Sequence, residues 1–292
     1  MPKKILVTGA HGLLGSSLTP YLRSCGYHII SISRKDNSDI QADLTDLKKV
    51  NVELTKIMPD VIVNLSALTD VDECDKEPQK AYLLNVRIVE NLTSWIHKNR
   101  NKCHLVQIST DQVYDGVGPY KEDAITLTNY YSFSKYAGEL AALSVFSTVL
   151  RTNFFGPSRC LGRSSLSDWL VTSLRNNKSI TVFDDVKFSP LSIKKLVELI
   201  EIVIDRPIEG VFNVGSRNGL SKADFAFSLA NVLSLSTKSM VKDSSKKIEL
   251  KAYRPKDMRM DSTLFEKTFK LEVPSLKEEI ESMKGAYINE IK

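Results

Sequence analysis

The sequence predicts an α/β protein built on a doubly wound parallel sheet, with a smaller C-terminal lobe. Three observations carry this. A short apolar run opens straight onto a turn with glycines at a spacing of three. Buried-type strands and amphipathic helices then alternate as far as residue 156. Beyond that point the alternation loosens and the chain becomes more polar.

A chain of 292 residues can bury a large core and suggests one or two domains. The net charge of +5 is small and spread along the chain. Short runs such as Lys246-Lys247 read as a solvated face rather than a nucleic-acid footprint. Cys25, Cys74, Cys103 and Cys160 lie far apart, with no CxxC and no paired histidines. That argues against a zinc site or disulfide framework and for reduced thiols in a cytoplasmic protein. The N-terminus runs directly into a strand without a signal-peptide h-region. No apolar run approaches bilayer-spanning length. The expectation is therefore no metal, no nucleic acid and no membrane.

Ile5 to Val7 reads as a buried parallel strand. Gly9, His11, Gly12, Leu13, Leu14 and Gly15 follow, then an amphipathic stretch through Leu18 and Leu22 that stops at Cys25-Gly26, as a helix ended by glycine does. The unpaired N–H groups and positive dipole end of such a helix hold a pyrophosphate, provided no Cβ blocks the approach. Gly9 would allow the tight turn, Gly12 the phosphate approach and Gly15 the packing of helix on strand. The spacing is GxxGxxG rather than GxGxxG. The bland alternative is an ordinary glycine-containing βα turn. The dinucleotide reading makes the sheet Rossmann-like.

His28 to Ser33 is a second strand. An acid at its end would select NAD. This chain has Ser33-Arg34-Lys35, a guanidinium and an ammonium suited to a 2′-phosphate, so NADPH is favoured. Asp36 and Asp39 keep NADH open, and a solvated basic turn is the plain alternative. Asp43-Leu44 stands where such folds place residues near the adenine. Val61 to Leu65 is a third strand, whose exit, Ser66-Ala67-Leu68-Thr69, could lie against the cofactor. A long helix is expected over Pro78–Asn99. Leu83, Leu84, Ile88, Leu92, Trp95 and Ile96 would face the core. Asn85, among apolar neighbours, either satisfies backbone groups or lines a pocket.

His104 to Asp111 is a fourth strand ending in Ser109-Thr110-Asp111, at the edge where open α/β sheets bind ligands. A structural cap would use the same letters. Tyr114 to Tyr120 reads as a loop. In Asn129-Tyr130-Tyr131-Ser132-Phe133-Ser134-Lys135, only Tyr131 has a lysine four residues on. On a helix the two side chains share a face. A phenol is a poor donor at neutral pH, and a nearby ammonium lowers its pKa. The phenol could then protonate an oxygen as hydride reaches the adjacent carbon. Lys135 could also hold the nicotinamide ribose. The spacing alone is weak evidence, since about one such match arises by chance. It gains weight from Thr110 upstream and the opening phosphate turn.

Ser147 to Thr152 is a fifth strand. Helices are expected near Leu166–Arg175, Ser192–Ile204 and Ser221–Leu233 (capped by serine), with another from Ser275. Strands are expected at Ile180–Phe183 and at Gly210–Gly215, the latter expected to rejoin the main sheet. The expected division is a dinucleotide domain over 1–156, completed by parts of 190–215, with 157–292 mainly a substrate-binding lobe over the strand ends. Arg151, Arg254 and Arg259 are candidates for substrate phosphates, with surface ion pairs as the default.

Taken together, these residues resemble the extended short-chain dehydrogenase/reductase superfamily, and within it the dTDP-4-dehydrorhamnose reductase family. The resemblance rests on Val7 to Gly15, Asp60 to Asn64, Ser109 to Gly116, Tyr131 with Lys135, Arg254-Pro255 and Arg259-Met260-Asp261, and it covers nearly the whole chain. It implies an NADPH-dependent reductase of the 4-keto group of a nucleotide-linked 4-keto-6-deoxysugar. Tyr131 would donate the proton, Lys135 would orient the ribose and lower the phenol pKa, and Thr110 would tune the donor. Thr110, Asp111, Phe154 and Arg254 would touch the nucleotide-sugar substrate. Leu13, Leu14, Ala67, Leu68 and Thr69 match cofactor-contacting positions. Ser17 stands near where some relatives place a magnesium-binding glutamate, so no metal is carried over, and a homodimer stays open. Gln112 replaces an aromatic, which leaves the sugar open. A nucleotide-sugar epimerase and a non-catalytic NADP-binding regulatory subunit are the alternative readings.

Overall fold

The computed structural model describes residues 2–34, 37–99, 102–247 and 251–287. The chain begins β1 (Lys4–Thr8), α1 (Gly15–Ser24), β2 (His28–Ser33), β3 (Ile40–Gln41), α2 (Leu47–Ile57) and β4 (Val61–Asn64). It continues through α3 (Val71–Lys76), α4 (Pro78–Tyr82), a π turn (Leu83–Arg87), α5 (Ile88–Lys98), β5 (His104–Thr110), α6 (Tyr130–Ala142) and β6 (Ser147–Thr152). Next come β7 (Phe154–Phe155), α7 (Leu166–Arg175), β8 (Ile180–Phe183), β9 (Lys187–Phe188), β10 (Leu191–Ser192), α8 (Ile193–Asp205) and β11 (Gly210–Val214). The last elements are β12 (Leu220–Ser221), α9 (Lys222–Val232), β13 (Met240–Asp243), α10 (Thr263–Phe269) and α11 (Leu276–Glu281).

Among the described residues, seven strands form one sheet in the order β11-β6-β5-β4-β1-β2-β3. β1 pairs in parallel with both β2 and β4, β2 with β3, and β4 with β5. The order turns back beside β1, the doubly wound, Rossmann-like arrangement whose carboxyl edge binds ligands. Branched and leucine side chains on β1, β4 and β5 are buried, as parallel strands covered on both faces require. Leu6, Ile62 and Leu105 pack with Leu54 of α2 and Leu92 and Trp95 of α5.

The described residues of Met1–Thr110, Thr128–Arg151 and Val197–Phe212 form one compact unit, and those of Asp111–Leu127, Thr152–Leu196 and Asn213–Lys292 the other. The expected first domain is 1–156 completed by parts of 190–215; Val197–Phe212 does group with the first unit, while 111–127 and 152–156 group with the second. The reason is long-range pairing. Tyr120 N donates to Arg259 O at 2.8 Å and its carbonyl accepts from Asp261 N at 2.8 Å, while β7 pairs with β10. The second unit has its own core, in which the Phe225 ring meets Phe155 and Phe188 edge-on at 4.9 and 5.3 Å.

One local expectation needs correction. The long helix expected over Pro78–Asn99 runs as α4, the π turn and α5, and Leu83, expected in the core, is 44% exposed. The wider turn aims Asn85 and Val86 inward instead, and such turns recur at functional sites. β8, the strand expected at Ile180–Phe183, pairs with β13. By contrast β11, the strand expected over Gly210–Gly215, takes the edge next to β6.

Candidate active site

In the first unit the opening turn is shaped by what its glycines lack. Gly9 sits at φ +64°, and a Cβ there would lie 2.9 Å from Leu65 C. A Cβ on Gly15 would lie 2.3 Å from Gly9 O and 2.7 Å from Ala10 C. Gly15, the first residue of α1, thus lets the helix start lie close against the backbone that leaves β1. His11, Gly12 and Leu13 are half-buried and Leu14 is buried at the start of α1, where no side chain caps the helix.

At the end of β2, Arg34 is exposed, and Lys35 and Asp36 lie outside the described residues. Asp39 is committed elsewhere. It accepts from Ser31 N at 2.8 Å and Ser31 Oγ at 2.7 Å, bonds that hold its carboxyl below the usual range. Asp43 closes a turn on Thr45 N and Oγ1, and Leu44 is buried.

The strand ends are tied together by a ladder of polar side chains that the sequence reading missed. Thr8, Asn64 and Gln107 stand in register on β1, β4 and β5. Thr8 Oγ1 donates to Asn64 Oδ1 at 2.6 Å, and Asn64 Nδ2 to Gln107 Oε1 at 2.7 Å. Gln107 Nε2 donates to Ile108 O at 3.1 Å. The same Ile108 carbonyl accepts from Lys135 Nζ at 2.8 Å. Leu65 N and Ser66 N also donate to Thr8 Oγ1, which fixes the loop that carries Ala67 and Leu68. The available signal was one polar residue near the carboxyl end of each of three otherwise mainly apolar strands, where each needs a partner.

α6 starts at Asn129, whose side chain accepts from Ser132 N in a reciprocal capping box. This phase turns Tyr130 out, 51% exposed, and Tyr131 in, at 7%. Lys135 follows one turn later, 5% exposed, and burial brings its ammonium down to about 8 against the opposing pull of Glu139. Thr110 closes β5 and is buried. Asn85, on the π turn, accepts from Leu68 N at 2.7 Å and donates to Leu68 O and to Ser134 Oγ on α6. It therefore splints the Ala67–Thr69 loop to the helix of Tyr131. Gly138 permits the approach, since a Cβ there would lie 2.4 Å from Asn85 O.

Arg151 is not a phosphate ligand. It is 2% exposed and forks onto Glu139 with NH2 to Oε2 at 2.7 Å. In the second unit Asp111 is buried and accepts from Asn153 Nδ2 at 2.7 Å. Phe154 and Arg254 are half-buried, the latter donating to Ala252 O at 2.9 Å. Arg259 is likewise committed, donating to Asp257 from Nε at 2.9 Å and from NH2, and to Gly118 O. Among the described residues no cluster of His, Cys, Asp and Glu could hold a metal, and no helix is long and apolar enough to cross a membrane.

A doubly wound sheet with a glycine turn after β1 and an inward Tyr131/Lys135 pair on α6 is the arrangement of the extended short-chain dehydrogenases/reductases. Residues 3–288 match the family described as RmlD substrate binding domain, and the chain belongs to that family. It is 30% identical over 240 residues to the spore coat polysaccharide biosynthesis protein SpsK of Bacillus subtilis, covering 80% of this chain and 81% of that one. It is 30% identical over 234 residues to the dTDP-4-keto-6-deoxy-D-glucose reductase of Streptomyces niveus, 77% of each. Among solved structures it resembles a dTDP-4-dehydrorhamnose reductase from Bacillus anthracis in complex with NADP. That match has a TM-score of 0.87 and 26% identity, over 97% of this chain and 98% of that one.

Proposed function

We propose that this protein reduces the 4-keto group of a nucleotide-linked 4-keto-6-deoxysugar with NADPH. The observation that carries the reading is the buried Tyr131/Lys135 pair of α6, its amine tied to the carboxyl end of β5. The reductases among its relatives support the substrate class, and the NADP complex of the Bacillus anthracis enzyme supports the cofactor.

The turn fits a dinucleotide, because its closure tolerates no Cβ at Gly9 or Gly15 and leaves the N-terminus of α1 without a side-chain cap. That end would hold the pyrophosphate, with Arg34 and Lys35 toward the 2′-phosphate and Asp43, Leu44, Ala67, Leu68 and Thr69 along the nucleotide. When bound, the cofactor supplies hydride. Lys135 holds the nicotinamide ribose hydroxyls and presents its charge to Tyr131. The Tyr131 hydroxyl gives its proton to the sugar oxygen while the carbonyl carbon takes hydride, so the ketone leaves as an alcohol. Thr110 orients the same oxygen. Asp111, Phe154 and Arg254 are the proposed contacts to the sugar nucleotide.

A panel of nucleotide-linked 4-keto-6-deoxysugars, mixed with protein and NADPH, tests this. The expected result is one NADPH oxidised per sugar reduced. Product formation with no net NADPH loss would fit an epimerase and contradict the proposal.

A further inference from the structure

Glu139 stands one turn beyond Lys135 on the buried face of α6 and is 1% exposed. Arg151 Nε donates to Oε1 at 3.0 Å and to Oε2 at 3.1 Å, and NH2 donates to Oε2. Ser109 Oγ donates to Oε1. The Arg151 guanidinium carbon is 6.0 Å from the centroid of the Tyr136 ring. Ser109 follows Ile108, whose carbonyl receives Lys135 Nζ. Two opposite charges are thus locked together on the buried side of α6 that carries the Lys135 ammonium. Packing does not require them: an apolar pair of similar volume often holds two elements as well or better than a buried ion pair.

We propose that Glu139, clamped by Arg151 and Ser109, is a positioning residue that keeps Lys135 protonated. The proposal rests on the reading of Lys135 given above only for its link to turnover. On α6 itself the buried phenol of Tyr131 lies one turn before Lys135; the other charged or titratable groups on the elements around it are few or turned outward. Cys74 of α3 is buried near it, and burial pushes that thiol up to about 12, so it stays neutral. On α3, Asp72, Glu73 and Asp75 are partly exposed, with Glu73 paired to Lys80 of α4 and Asp75 accepting from Tyr130 N. On α4, Tyr82 donates to Glu90 at the surface. On the π turn and α5, Arg87 and Glu90 pair at the surface, and His97 and Lys98 end α5. On β5, His104 lies at the far end of the strand, bonded to Thr148.

The sign follows. Glu139→Gln removes the carboxylate and leaves a guanidinium, so the Lys135 midpoint falls. Arg151→Met removes the cation and leaves a carboxylate, so the midpoint rises. Each shift should be about one pH unit. A merely structural pair would move both variants the same way or neither. The readout is the Lys135 Nζ resonance in ¹⁵N-lysine-labelled full-length protein titrated with pH, assigned through Lys135→Arg, with Glu139→Asp and Arg151→Lys as charge-keeping controls. If a single variant does not fold, the double variant E139Q/R151M leaves no unpaired charge, and its midpoint should lie below that of the native protein. Opposite shifts, or the lowered double-variant midpoint, support the proposal. Unmoved or parallel midpoints overturn it. The pH profile of NADPH oxidation is recorded alongside. If the midpoints shift oppositely while that profile stays put, the clamp stands and the role assigned to Lys135 in turnover fails.

Discussion

Turnover of a nucleotide-linked 4-keto-6-deoxysugar by the Tyr131→Phe variant should fall about 10²–10⁴-fold in kcat, the range that a positioned general acid contributes. That corresponds to about 3–5 kcal/mol of barrier. Phenylalanine keeps the ring that fills the buried site and removes only the oxygen. The thermal midpoint and the affinity for NADPH should therefore change little, and the loss should appear in kcat. Tyr130→Phe is the matched control. Its ring is 51% exposed on the opposite phase of the helix, and the variant should turn over like the native protein. Equal losses in both variants, or none in Tyr131→Phe, would remove the proton-donor role.

Gly15→Ala should be among the most damaging single-carbon changes in the first unit. The added Cβ meets Gly9 O at 2.3 Å and Ala10 Cα and C at 2.7 Å, all backbone. None of these can rotate aside, so the turn must open, at a cost of about 3 kcal/mol. Because the opened turn would also misplace the N–H groups at the head of α1, NADPH affinity should fall more than tenfold. Urea midpoints and NADPH titrations check the two effects separately. Gly285→Ala, where an added Cβ meets nothing within 4 Å, should leave both unchanged.

What the sequence disclosed was what local chemistry encodes. The apolar run and Gly26 mark β1, α1 and their ends, and a serine cap marks α9. The Tyr131/Lys135 spacing singled out the inward tyrosine of an adjacent pair. What stayed hidden depends on partners far along the chain. Arg151 reads as a phosphate candidate or a surface ion pair until Glu139 is seen folded onto it, buried. Tyr120 reads as loop until its backbone is paired with residues 259 and 261. The π turn at Asn85 escapes a search for a 3.6-residue period, because it shifts the register without changing composition. The Thr8–Asn64–Gln107 ladder depends on strand order, which no single strand reveals.

The central claim is that this chain delivers hydride to a sugar carbon next to the Tyr131 hydroxyl. Reduced cofactor carrying deuterium at its transferable position, mixed with the native protein and a nucleotide-linked 4-keto-6-deoxysugar, tests it most directly. The account predicts one deuterium on C4 of the product and an equal amount of oxidised cofactor. Recovery of all the label in reduced cofactor, with the sugar either unchanged or inverted, would contradict it.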